Sequence, residues 1–582
     1  MVVRPLARSA LAAGAVLLLF AAGCVVLESL GKPRVQVYPA HKIITLDSAN
    51  PFATAVAVEG ERILRVGDLE SVTQSLGDRR FVVDRRFENR VLLPGFIEPH
   101  LHPYIAGILL PMAFITPHDW ELPGREVAGV RGREPYLARL RETESELDRR
   151  EWLWTWGYHH LYHGRVVRSD LDAISRDRPI IVWHRSFHEV VLNSAALEAL
   201  ELDPDDIAEN PFVDLANGHF FEGGLEALIP ALRPHLFSLR RYARALREAR
   251  GILHAGGITT VGDGAFGTLD LDQEWLALRF SSWNDRDTPF RTVLLPDGRS
   301  LGRLHGHDES RDRIEKLGRR DTNRIQFRTD AVKLFADGAF FSQRMQLGPP
   351  GYLDGHHGDW LMEPDVLLEA ARPYWRAGFQ IHVHANGDAG IDAALDTLDA
   401  LQAEFPRTDH RFALHHFGYA RADQIERIAR SGVIVSANPY YVWALADLYA
   451  EVGLGPERAH AMVRAGSLER AGVPLSFHSD FTMAPADPLL LASVAANRIT
   501  ADGNLVGPEE RVSLDTALKA ITLGAAHLLG MEDEIGSIRA GKRADFTVLE
   551  RDPYAVPLEQ LAEIPIWGTV LGGQAYPIAI GR

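Results

Sequence analysis

The chain has 582 residues, enough for several average domains or for one barrel domain enlarged by insertions. An apolar fraction of 46% and a charged fraction of 24% are those of an ordinary globular protein with a large core to bury. With 78 acidic against 62 basic residues the net charge is −16, and no Lys/Arg-rich run follows the first few residues, which argues against nucleic acid as a partner.

In chain order, Arg4 and Arg8 precede an apolar stretch from Leu11 to Ala22, followed by Gly23-Cys24. A basic start, a short apolar core and small residues at its end are the layout of a secretory signal. Ala21-Ala22-Gly23-Cys24 resembles a bacterial lipobox, in which the cysteine takes a diacylglycerol and becomes the mature N-terminus. Residues 1–23 are then a signal peptide and Cys24 the lipidation site. Cys24 is the sole cysteine, so intrachain disulfides are excluded. The alternative is an uncleaved membrane anchor, for which about a dozen apolar residues are short. The expectation is an exported cell-envelope lipoprotein, held to the membrane through its N-terminal lipid only.

Val35 to Val66 shows β-type patterning, with Gly60 and Gly67 where turns are needed, and predicts a small sandwich of short strands. Further on, apolar runs such as Ile180–Trp183, Ala331–Phe335, Phe379–His384, Phe412–His415, Val433–Ser436 and Pro474–Phe477 alternate with helical stretches at 239–255, 367–377 and 389–405. Strand-then-helix repetition predicts a parallel sheet with helical crossovers, either a closed barrel or an open doubly wound sheet. Residues from about 104 to 250 are too long for one crossover and contain Trp120, Trp152, Trp154 and Trp156. They predict an inserted lid, with the tryptophans packing it rather than walling a substrate.

Five segments carry candidate chemistry. Pro94-Gly95-Phe96-Ile97-Glu98-Pro99-His100-Leu101-His102 places two histidines at i and i+2, on one side of a strand, as half of a metal site. Val332-Lys333-Leu334-Phe335 puts a lysine inside an apolar strand, where its charge is costly unless paired or unless the strand end reaches solvent. His382-Val383-His384 and His415-His416 follow. Adjacent strand residues face opposite ways, so only one of the second pair is expected to enter a barrel. Phe477-His478-Ser479-Asp480 closes a late strand. A spacing of two puts His478 on the side of Asp480, either hydrogen-bonded within the site or packed in the core.

These segments, in this order, resemble the amidohydrolase superfamily. The companion stretch from Gly536 to Leu549 fits the same resemblance, because such barrels are flanked by a split sandwich in which both chain ends pair. The implied fold is a (β/α)8 TIM barrel over 91–534, with a composite sandwich from 35–90 plus 535–582. The implied metal ligands are His100, His102, Lys333 carboxylated on its nitrogen, His384, His416 and Asp480. His415 departs from the usual Glu-His pattern, and His478 replaces the usual glycine. The ligands would hold two divalent ions, zinc expected, with a single ion as the alternative. A carbamate, Asp480 and a bridging hydroxide contribute −3 against +4, and a residual positive site polarises a carbonyl and acidifies water. Asp480 is the catalytic proton carrier in this reading, and His382 supports the site from behind.

Leu171-Asp172-Ala173-Ile174, Arg178–Val182, His188 and Asn193–Leu197 resemble the YtcJ-like branch, which includes N-substituted formamide deformylase (Amidohydrolase family 3). His188 faces substrate or is structural. The implied reaction is hydrolysis of a non-peptide C–N bond in a small molecule. The alternatives are an esterase, lactonase or imidase using the same site, and a non-catalytic surface binding or regulatory lipoprotein. Retention of all six ligands weighs against the last. Nothing in the sequence specifies an oligomeric state.

Overall fold

The computed structural model describes residues 35–578 apart from 123, 203–206, 208 and 237–238, so the signal segment and Cys24 lie outside the described residues. Among the described residues no helix is long and apolar enough to cross a membrane. Both ends of the described chain meet in one eight-stranded sheet. Val91–Pro94 runs antiparallel to Phe546–Leu549, with Phe546 opposite Pro94. Alternation along these strands sorts apolar side chains to two faces. Val35, Val37, Ala55 and Ala57 pack on Val72 of helix Leu69–Ser75 and on Leu76, which caps it. Tyr38, Ile43, Val56, Phe546 and Val548 fill the opposite face.

Eight parallel strands follow: β1 (Phe96–Leu101), β2 (Ile258–Phe266), β3 (Arg291–Pro296), β4 (Ala331–Phe335), β5 (Gln380–Ala385), β6 (Ala413–His416), β7 (Ile434–Ala437) and β8 (Leu475–Phe477). They pair as two arcs, β1-β2-β3 and β4 through β8. A parallel bridge between Asp297 and Lys333 joins the arcs on one side. On the other, Asp480 N–H donates to His100 O at 3.2 Å and His102 N–H to Phe481 O at 3.1 Å. The result is a (β/α)8 barrel. Its strands are buried on both faces, which is why they read as apolar runs rather than alternating ones. β2 and β3 are strands that the sequence pattern did not single out.

The crossovers are amphipathic. In helix Asp388–Glu404 the buried Ile391, Leu395, Leu398 and Leu401 form the stripe that meets the barrel. Between β1 and β2 the chain builds a mixed six-stranded sheet from Ala113–Phe114, Leu153–Tyr158, Ile180–His184, Glu189–Leu192, Val213–Asp214 and His219–Phe221. Trp120, Trp154 and Trp156 are buried in its packing, and Trp156 lies edge-on to Trp120 with ring centres 5.5 Å apart. Ile180–His184 therefore belongs to this sheet and not to the barrel.

Candidate metal centre

His100 lies near the end of β1 and His102 just beyond it, before helix Pro103–Leu109. His100 is buried against β2 at Gly264, where a Cβ would come within 2.6 Å of its imidazole. Glu98, two residues earlier on the same side, accepts the Ser479 N–H at 2.9 Å and so ties β1 to the end of β8. Asp480 follows with φ 58°, a left-handed conformation that turns its carboxylate into the barrel mouth. The carboxylate reaches His102 Nε2 at 3.1 Å, His100 Nε2 at 3.6 Å and His416 Nδ1 at 3.8 Å.

From the other arc, β4 delivers Lys333, fully buried, its Nζ without a hydrogen-bond partner. β5 delivers His384, whose ring centre is 4.2 Å from that of His416. The Asn386 side-chain amide lies 2.9 Å from His384 Nε2. All six residues picked out by the sequence thus converge at one barrel mouth.

One expectation needs correcting. His415 and His416 both enter the barrel, because His416 (φ 74°) and Phe417 (φ 54°) leave the extended conformation and break the alternation. His415 lies deeper. Its Nδ1 shares a hydrogen bond with His100 Nδ1 at 2.7 Å, and its Nε2 one with His382 Nδ1 at 2.8 Å. His382 is therefore one step removed from the ligands, in contact with His415. His478 lies close enough to group with His100 and His416. Its Nε2 is 3.3 Å from His416 Nδ1 and its Nδ1 2.9 Å from Ser436 Oγ.

Burial, and then the nearby Lys333 ammonium or neighbouring imidazoles, hold His100, His384, His415 and His416 well below the usual imidazole range. Neutral imidazole is the ligand form. His102 is different. Burial pulls it down, but the nearby carboxylates of Asp263 and Asp480 outweigh this and push it up to about 9. Burial draws Lys333 down to about 7, against the opposing pull of Asp480 and Asp297. Burial also raises Glu98 to about 8.

The donor set suits divalent transition ions. Imidazoles and a carboxylate converge, one ligand atom each from His100, His102 and Asp480 lies within 4.8 Å of the others, and a buried amine stands without a partner beside them. A sequence model of the amidohydrolase family matches residues 87–576. The chain belongs to the amidohydrolase family. N-substituted formamide deformylase of Arthrobacter pascens is similar at 28% identity, covering 91% of this chain and 96% of that one. Putative amidohydrolase YtcJ of Bacillus subtilis (strain 168) is 25% identical over 91% of this chain and 97% of its own. An uncharacterized metal-dependent hydrolase from Pyrococcus horikoshii OT3 superposes with a TM-score of 0.68 at 22% identity, over 90% of this chain and 99% of that one.

In this amidohydrolase the centre opens into a cavity of about 290 Å³. Ile105, Leu225, Ile229, Leu269 and Phe335 give it an apolar wall, with Arg299 and Arg303 also in the lining. His188 reaches this cavity from the inserted sheet and pairs through Nδ1 with Glu222 at 2.7 Å. Burial lowers the His188 pKa, but the Glu222 charge and hydrogen bond raise it more. None of the four tryptophans lines the cavity.

Sequence reasoning passed over Glu98, Asp263 and His415. Asp263 had a local signal, a carboxylate placed inside the otherwise apolar and small-residue run Ile258–Phe266. Glu98 had the spacing signal, two residues before His100. His415 had been turned outward by a strand rule that fails at a left-handed residue.

Proposed function

We propose that this amidohydrolase hydrolyses a non-peptide carbon–nitrogen bond in a small amide, with an N-substituted formamide as the substrate class. Ions held by His100, His102, Lys333, His384, His416 and Asp480 would supply a Lewis acid and an acidified water, with zinc the metal these donors suit best. Asp480 accepts the proton of the attacking water and returns it to the leaving nitrogen. His102 turns Nδ1 toward Asp263 at 3.8 Å, which leaves Nε2 as its ligating atom. The apolar wall takes the substituent on nitrogen, leaving the carbonyl at the polar end of the cavity.

The observation that carries this reading is the Asp480 carboxylate 3.1 Å from His102, where the centre lines the cavity. The formamide relative supports the bond type. A panel of N-substituted formamides, simple amides, cyclic imides, esters and lactones tests it. Formamides are expected to give the highest kcat/KM, and Asp480→Asn to lower kcat by about 10²–10⁴ with metal content unchanged. Esters or lactones turning over faster than every amide would replace this reading with the esterase one. No turnover by metal-loaded protein would favour a binding module.

A further inference from the structure

The cavity at the metal centre does not stand alone. Phe187, Ile229, Pro230 and Leu269 line it, and the same four side chains line a second cavity of about 100 Å³ beside it. Two helices run past both. In Pro103–Leu109, Ile105 borders the first cavity, and Tyr104 and Ile108 border the second. In the inserted helix Leu225–Leu236, Leu225 borders the first only, Ile229 and Pro230 border both, and Arg233 and Leu236 border the second only. Positions 225, 229, 233 and 236 recur at the helical period and so share one face. At 1.5 Å per residue, the stretch from Ile229 to Leu236 extends the apolar wall by about 10 Å.

The lining of this extension has surface to cover. Trp183 is buried and stacks on Phe187 with ring centres 4.9 Å apart, and its indole N–H is already bonded to Phe187 O at 3.0 Å. Phe187, Ile229, Leu236 and Leu269 are only partly buried, so each keeps apolar area exposed. The one charged residue of the lining, Arg233, is paired with Asp270 at 3.5 Å. Such a lining selects by apolar area and shape.

We propose that the second cavity is the specificity pocket for the substituent on nitrogen, and that this substituent is an extended apolar chain. The carbonyl stays at the metal centre, the first carbons pass Ile229 and Leu269, and the tail lies against Trp183 and Leu236. The inference rests on the carbon–nitrogen cleavage proposed above, which fixes the end of the cavity where the reacting bond lies. A short substituent leaves the pocket wet and forgoes the gain from covering it.

Zinc-loaded full-length protein, assayed with N-alkylformamides from methyl to octyl, tests this. Each methylene buried should raise kcat/KM about fourfold until the pocket is full. Ile229→Trp, which narrows the passage, should lower the octyl-to-methyl ratio of kcat/KM at least about tenfold, and Leu236→Asp the octyl-to-butyl ratio. A ratio does not depend on the fraction of active protein, so a partly misfolded variant still reports. Calorimetric titration with n-butylamine and n-octylamine, products of this reaction class, reads the pocket without turnover. Octylamine should bind tighter, and Ile229→Trp should remove the difference. That result without formamide turnover supports the pocket and overturns only the reaction. Formamides hydrolysed with kcat/KM independent of chain length, or a chain-length gain that survives Ile229→Trp, overturn the pocket and leave the reaction standing. Without turnover, amines that bind alike or not at all overturn it as well.

Discussion

At the residue scale, the centre depends on a few side chains whose surroundings set their charge. Lys333 is the clearest case. A buried amine drawn down to about 7 is largely able to be neutral near physiological pH, which is what reaction with carbon dioxide to give a carbamate and a proton requires. If that carbamate holds two ions together, Lys333→Ala should lose at least one metal equivalent by elemental analysis. Retention of two would show that the lysine does not bridge them. Behind the ligands, His415 links His100 to His382 through two short contacts. Partners of this kind fix the orientation and tautomer of a ligating ring, and their loss typically weakens binding about 10–100-fold. His415→Ala should weaken zinc by that factor in a chelator competition, whereas an unchanged affinity would reduce His415 to packing. The His100–His102 pair was legible in the sequence because spacing within one strand is local, and the other expected donors were implied by the family resemblance. The inward turn of both His415 and His416 was not legible, because it follows from backbone angles at the strand's end.

At the element scale, the barrel strands position the donors through close approach. β2 carries Gly264 against the His100 ring, and a Cβ there would sit 2.6 Å from it. The glycine is needed for space and not for an unusual backbone conformation. Gly264→Ala should therefore tilt His100, lower metal occupancy and reduce kcat/KM at least about tenfold, while leaving the fold's circular dichroism in place. Full occupancy and full activity in that variant would mean that the ring has room to move. The strands themselves were legible as apolar runs separated by amphipathic helices. β3 escaped notice because Arg291-Thr292-Val293-Leu294-Leu295-Pro296 opens with an arginine, and that arginine is buried against Asp545 at 2.6 Å. A buried ion pair with a residue 254 positions away gives no local signal.

At the scale of the whole molecule, the inserted sheet adds buried histidines of its own to those of the barrel centre, and with them a further pH dependence. His118 and His163 are buried there, and burial first, with Arg185 adding to it, lowers them to about 2 and about 4. Below the unfolded value of about 6.5 the unfolded chain takes up protons that the folded chain refuses. Stability is thus intact above that pH and falls by about 1.4 kcal/mol per pH unit for each ring as pH drops toward the folded values. Urea midpoints measured between pH 7 and pH 5 should fall steadily, and His163→Gln should make the slope shallower. An identical slope would show that this ring is not among the groups responsible. By itself the sequence determined the kinds of donor, their order along the chain and the strand–helix rhythm, because periodicity and short spacings are properties of neighbouring residues, whereas the pairing of the two chain ends was implied only by the family resemblance. Only the tertiary structure decided that Glu98 braces Ser479 and that His415 supports His100. Those contacts exist because strands distant in sequence are brought side by side, a proximity that no local pattern encodes.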